Sequence, residues 1–197
     1  MTSLRAGLDD STGALRSARQ CPSPNADARP QGQEPELVVV HGISLPPGEF
    51  GGPYIDQLFC NRLDHTAHAY FESLVGLRVS AHALIRRDGT LVQYVPLHRR
   101  AWHAGLSEFD GRAGCNDFSI GFELEGCDAL AYTHAQYRCL AALCRLLQSR
   151  WPRISRSRIV GHSDIAPGRK TDPGDAFDWS MLMREMDRVD ADHGYAN

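Results

Sequence analysis

Hydrophobic positions along this chain change their period several times, and each change marks an element. "ELVVVHGI" is a β-branched run between Pro35 and Gly42 and reads as a buried strand. "SLPPGEFGGP" follows as a loop forced by its prolines and glycines. "YIDQLFCNRL" and "AHAYFESLVGL" have the spacing of short helices around a polar bend at Asp64-His65. "VSAHALIRRDGTLVQYVPL" alternates on both sides of Asp88-Gly89, a dipeptide favoured in type I′ hairpin turns. "FSIGFELEG" is a further strand that ends at Gly126. In "THAQYRCLAALCRLLQSRW" the period becomes helical. Tyr137, Leu140, Cys144, Leu147 and Trp151 step by three and four, Thr133 and Gln136 stand at capping-box spacing, and Pro152 follows the end. "RIVGH" is another short strand, and Trp179, Leu182, Met186 and Val189 share one face of a last helix.

This order predicts an α/β (α+β) fold: a single domain whose central mixed β-sheet is flanked by helices. Residues 1–35, rich in Ser, Arg, Pro, Gln and Asp, read as a tail or an irregular arm over the surface. With 197 residues the chain is long enough to bury a real core in one domain.

Composition narrows the function classes. A net charge of −3 and only short Arg pairs such as Arg99-Arg100 exclude a basic nucleic-acid footprint. No apolar run has the length of a membrane span, and the first twenty residues lack the apolar core of a secretory signal, so the expected address is the cytosol. Six cysteines without a Cys-x-x-Cys pair then read as thiols rather than a disulfide framework.

The chemistry-bearing residues cluster at predicted strand ends. His41 closes the first strand, His162 closes "RIVGH", and Asp172 follows ten residues later in a loop stiffened by Pro167 and Pro173. Two imidazoles and a carboxylate around an open position suit catalytic zinc. Nine histidines offer many such triplets, however, and each alone reads first as a hydrogen-bonded core or surface residue. Glu123 and Glu125 lie on one face of "FELEG", opposite Phe122 and Leu124, and alternation does not choose between them. Lys170 brings a cation close to Asp172, or simply pairs with a neighbouring acid.

The segments "VVVHGISLPPGEFGGP", "LRVSAHALIRRDGTLVQYVP", "RAWHAG", "CNDFSIGFELEG" and "GHSDIAPGRKTDPGDAFDW" resemble, in order, the zinc-dependent N-acetylmuramoyl-L-alanine amidases, and within them the AmpD-type group of cytosolic cell-wall recycling. The similarity runs from about Ala14 to Asp187 and implies an amidase domain over residues 14–190, with tails at 1–13 and 191–197. The same fold serves peptidoglycan-recognition proteins. Position by position, the resemblance implies His41, His162 and Asp172 as zinc ligands, Glu123 as the catalytic carboxylate and Lys170 as the cation beside the oxyanion. It also implies Arg78 and Trp102 as substrate-cleft residues, with a structural arginine and a core tryptophan as the alternatives. The expected cofactor is Zn2+ and the expected partner a 1,6-anhydro-N-acetylmuramoyl-peptide, with no nucleic acid, membrane or obligate protein partner. The implied reaction is hydrolysis of the muramoyl–L-alanine amide in peptidoglycan recycling, which would bear indirectly on β-lactamase induction.

Among the other histidines, His82 and His103 read as structural, and His65 and His68 as a solvated helix end. Gly42 departs from the family's asparagine after the first ligand, and Gly114 from a basic residue. Two rival functions stay open: a peptidoglycan-binding or sensing module on the same fold, and an envelope amidase acting on intact murein.

Overall fold

In the computed structural model the described residues are 7–194. The outermost residues of the two expected tails, 1–6 and 195–197, lie outside them. The central sheet has six strands: β1 (Arg19–Gln20), β2 (Leu37–Ile43), β3 (Ala83–Ile85), β4 (Leu91–Gln93), β5 (Ser119–Glu125) and β6 (Ile159–Gly161). Their spatial order is β6-β2-β5-β3-β4-β1, and every pair is parallel except the β3–β4 hairpin. The expected mixed sheet in an α/β domain is therefore present.

Alternation along the two central strands decides what each face does. Val38 and Val40 of β2 and Ile120, Phe122 and Leu124 of β5 join one core with residues of α2 (His134–Arg150) and α4 (Trp179–Gly194). On β5 this leaves Ser119, Gly121, Glu123 and Glu125 for the opposite face, and on β2 it leaves Leu37, Val39 and His41. That second face is closed by two smaller apolar clusters. One is built around Ile55, Leu58 and Phe59 of or near α1 (Tyr54–Phe59), the other around Ala104, Cys115, Phe118 and Ile165. A strand buried on both faces carries charged residues where they are paired or where the second face opens to a site.

The long-helix signature holds in detail. Gln136 N–H donates to Thr133 Oγ1 at 3.2 Å, and Thr133 N–H donates to Gln136 Oε1 at 3.0 Å, completing the capping box. The apolar row Tyr137, Leu140, Cys144, Leu147 and Trp151 is buried, as are Leu182 and Met186 of α4.

Three local expectations change. The hairpin turn is not type I′, because Asp88 does not adopt positive φ and only Gly89 does, at +87°. Gly89 N–H donates to Arg86 O at 2.9 Å while Arg86 N–H pairs with Thr90 O, so the loop has three residues with glycine in the left-handed position. The segment Ala69–Leu74 is a 3-10 helix rather than an α-helix, capped by His68 Nδ1 accepting from Tyr70 N–H. The N-terminal arm is also part of the fold. Arg19–Gln20 forms the sheet edge, Leu15 is buried in the main core, and short ladders join Leu8–Asp9 to Ala14–Leu15 and Ala26–Asp27 to Arg100–Ala101. Half-buried Arg29 fixes the arm further by donating to the carbonyls of Asp117 and Ser119.

The six cysteines are free, as expected. Among the described residues no helix is long and apolar enough to cross a membrane.

Candidate metal centre

His41 is the fifth residue of β2, so the strand runs two residues past it instead of ending there. His162 directly follows β6 and opens the short helix α3 (His162–Ile165). β6 and β2 are adjacent and parallel, which brings the two imidazoles to the same end of the sheet. Asp172 arrives from the loop after α3, where Ser163 N–H donates to Asp172 O at 3.0 Å. That bond folds the loop back beside His162.

The result is a triangle of donor atoms. His41 Nδ1 lies 3.0 Å from His162 Nδ1, and each nitrogen lies 3.1 Å from Asp172 Oδ2. Both rings are buried. Among the described residues no other group of three His, Cys, Asp or Glu side chains brings its ligand atoms together in this way. His162 Nε2 faces the Ala104 carbonyl at 3.2 Å, and a carbonyl only accepts, so the ring proton sits on Nε2 and Nδ1 presents a lone pair. Zinc bonds of about 2.0–2.1 Å give tetrahedral edges of about 3.3–3.4 Å, so the donors, at 3.0–3.1 Å, need to spread by only a few tenths of an ångström. The donor set fits a divalent zinc ion.

Electrostatics agree with this reading. Burial pushes the Asp172 carboxyl up, but the imidazoles of His162 and His41 outweigh it and hold the group well below the usual carboxylate range. Burial pushes His41 down, against the pull of Asp172, so the ring stays neutral and able to ligate.

Glu123 stands next to the triangle, directly opposite His41 in the parallel register of β5 and β2. Its Oε2 is buried and has no hydrogen-bond partner among the described residues. Burial raises its pKa well above the ordinary value, the Asp172 charge adds to this, and Lys170 opposes it. A carboxylate whose pKa is raised in this way accepts a proton more readily than an exposed one. Lys170 is exposed at the rim, and its charge acts on both Glu123 and His41.

Glu125 shares the face but not the situation. Its Oε1 accepts from Arg86 Nη1 at 2.9 Å and Gly51 N–H at 2.7 Å, and its Oε2 accepts from Arg87 N–H at 3.2 Å. It is consumed in holding the "SLPPGEFGGP" loop and the hairpin to the sheet. Arg86 engages Glu125 and leaves Glu123 as the carboxylate without a partner, a difference that alternation alone does not show.

Arg78 and Trp102 are not joined to this group. Arg78 is exposed, and Trp102 is half-buried with an indole N–H that has no hydrogen-bond partner among the described residues. Neither makes a hydrogen bond, ion pair or ring contact with the triad, Glu123 or Lys170. His82 is structural: its Nδ1 accepts Gly121 N–H at 3.0 Å and its Nε2 faces Arg99 O at 3.0 Å. His103, which the sequence placed with it, instead touches the site, with Nδ1 2.9 Å from His41 Nε2.

Gly42 and Gly114, expected to depart from the family pattern, both sit where a side chain would meet a local constraint. A Cβ on Gly42 would lie 2.3 Å from the Tyr132 hydroxyl, which donates to Pro173 O at 3.0 Å. Gly114 has φ +76°, a left-handed conformation that favours glycine before the turn Cys115–Asp117.

The family model for N-acetylmuramoyl-L-alanine amidase matches residues 31–175. The 1,6-anhydro-N-acetylmuramyl-L-alanine amidase AmpD of Escherichia coli K12 is 61% identical over 170 residues, 86% of this chain and 92% of that protein. A crystal structure of a Se-Met AmpD derivative superposes with TM-score 0.88 at 57% identity, covering 91% of this chain and 98% of that one. More distantly, the amidase AmiD of E. coli, solved in complex with anhydro-N-acetylmuramic acid-L-Ala-D-γ-Glu-L-Lys, matches with TM-score 0.56 at 28% identity over 80% of this chain and 60% of that one. A triad able to hold zinc, a buried carboxylate beside it and this breadth of similarity lead to one assignment: the chain belongs to the N-acetylmuramoyl-L-alanine amidase family.

Proposed function

We propose that the chain is a zinc amidase that cleaves the amide between 1,6-anhydro-N-acetylmuramic acid and L-alanine in soluble muropeptides. The observation that carries this reading is Glu123 Oε2, buried and unpartnered beside the His41–His162–Asp172 triangle. A structural acid in that position would be paired, as Glu125 is. The names of the similar amidases, and the anhydromuramoyl ligand in the AmiD complex, supply the substrate class.

His41, His162 and Asp172 hold the metal in this proposal. When bound there, zinc supplies a Lewis acid that makes water more acidic and a carbonyl more electrophilic. Glu123 takes the proton of the attacking water and returns it to the leaving L-alanine nitrogen, which its raised pKa favours. The Lys170 ammonium donates to the oxyanion of the tetrahedral species, a contact worth about 3–4 kcal/mol when one good donor is removed. Arg78, exposed and outside the triad's contacts, is the proposed partner of a stem-peptide carboxylate, and Trp102 a proposed packing surface. The substrate is a soluble wall fragment, so the proposed place of action is the cytosol.

The experiment compares kcat/KM on an anhydromuramoyl-tripeptide and on its reducing-end muramoyl counterpart, with release of peptide from sacculi as a third arm. A strong preference for the anhydro sugar is expected. Equal values, or faster release from sacculi, would make this a general or envelope amidase, and binding without turnover would make it a sensor.

A further inference from the structure

We propose that His103, Ser119 and Asn116 act as positioning residues that fix the proton of each metal-facing imidazole on the nitrogen turned away from the metal. The proposal rests on the zinc reading above.

The argument follows hydrogens one at a time. Ser119 Oγ lies 2.6 Å from Cys115 O, and since a carbonyl only accepts, the hydroxyl proton points there. Toward His103 Nε2, 3.1 Å away, Ser119 can then only accept, so His103 carries its proton on Nε2. Of two facing ring nitrogens one donates and the other accepts, and with His41 Nδ1 turned to the triangle as a ligand the acceptor is His103 Nδ1, which presents the lone pair. That lone pair faces His41 Nε2 at 2.9 Å, so His41 holds its proton on Nε2 and exposes a bare Nδ1 to the triangle. The Ala104 carbonyl does the same for His162.

Both orienting groups therefore come from adjacent residues of one segment, the His103 ring behind His41 and the Ala104 carbonyl behind His162. Asn116 Oδ1 takes both backbone N–H groups of that segment, of His103 at 3.0 Å and of Ala104 at 2.8 Å, and Arg169 Nη2 donates to the Ala104 carbonyl at 2.7 Å. β5 makes room for the ring, because a Cβ on Gly121 would lie 2.5 Å from His103 Cγ and Nδ1. Ser119, Gly121 and Glu123 thus alternate along the site face as proton acceptor, ring seat and carboxylate. Groups behind metal-bound histidines typically change metal affinity about 10- to 100-fold when removed.

The test is zinc affinity, measured by chelator competition, together with nitrogen NMR of the metal-free protein. In the wild type, His41, His103 and His162 should all be protonated on Nε2. His103→Phe should weaken zinc binding about 10- to 100-fold, and His103→Gln, whose amide oxygen can still accept from His41, should recover part of the loss. Should the phenylalanine variant fail to fold, Ser119→Ala and Gly121→Ala address the same relay. The first removes one hydroxyl and the second pushes the ring aside, and both should weaken zinc severalfold. Wild-type affinity in folded variants, or a His41 protonated on Nδ1, overturns the relay. A wild-type protein that binds no zinc overturns the metal reading instead, so the two failures are distinct.

Discussion

Glu123 and His41 are cross-strand neighbours in a parallel pair, so the carboxylate and the imidazole project from the same face at the same level. Strand pairing alone, without any flexible loop, sets the candidate base beside the candidate metal. Asp172 then completes the triangle from a loop held by Ser163 N–H on the Asp172 carbonyl and by the Tyr132 hydroxyl on the Pro173 carbonyl.

Because Glu123 is unpartnered and Glu125 is fully engaged, the two glutamates should fail differently. Glu123→Gln should keep the fold and the metal while kcat falls about 10²-fold or more. Glu125→Gln should leave kcat within severalfold but lower stability by about 3 kcal/mol, as expected when one partner of a buried ion pair is removed. Chemical denaturation and steady-state kinetics on both variants would check this. A larger kcat loss at Glu125 would reverse the assignment.

Lys170→Ala should lower kcat more than it raises KM, since its contact with the oxyanion strengthens only in the transition state. A pure KM effect would make Lys170 a substrate-binding group.

His82 gives a pH signature in stability. Burial, with the Arg29 guanidinium adding to it, pushes its pKa down to about 3, against about 6.5 unfolded. Below pH ~6.5 the unfolded chain takes up a proton that the folded ring refuses, so this contribution is complete above that pH and is lost as pH falls toward 3. The slope for one proton approaches ~1.4 kcal/mol per pH unit. His82→Gln should be less stable than wild type at pH 7, and its deficit should shrink by about 2 kcal/mol at pH 5. Parallel denaturation curves for the two proteins across that range would contradict a neutral His82.

Gly42 tests the packing against Tyr132. Gly42→Ala should cost about 1–3 kcal/mol, because its methyl group meets the Tyr132 hydroxyl. In a Tyr132→Phe background the nearest ring atom is the Cζ at 3.6 Å, an ordinary contact, so the cost of the alanine should largely vanish. A double-mutant cycle reads the coupling, and additive effects would show that the two positions do not meet.

The elements whose signal is local were legible in the sequence. The β2 and β5 patterns, the Thr133–Gln136 cap and the apolar row of α2 all depend on residues a few positions apart. The metal triad was visible only as one triplet among several, and the resemblance selected it. What escaped depends on distant partners. Arg86 removes Glu125 from the site, Ser119 and Asn116 draw His103 into it, and two-residue pairings weave the arm before Glu36 into the sheet. Asp88-Gly89 misled on turn type because Asp88 holds Thr90 N–H through its carboxylate at 2.8 Å without adopting positive φ.

The central claim is that one zinc ion is held by His41, His162 and Asp172. Elemental analysis of zinc-reconstituted wild type, His162→Ala and Asp172→Ala, each confirmed folded by circular dichroism, addresses it directly. The account predicts one zinc per wild-type chain, lost on chelation together with amidase activity, and a large deficit in both variants. Wild-type zinc content in folded His162→Ala would contradict it.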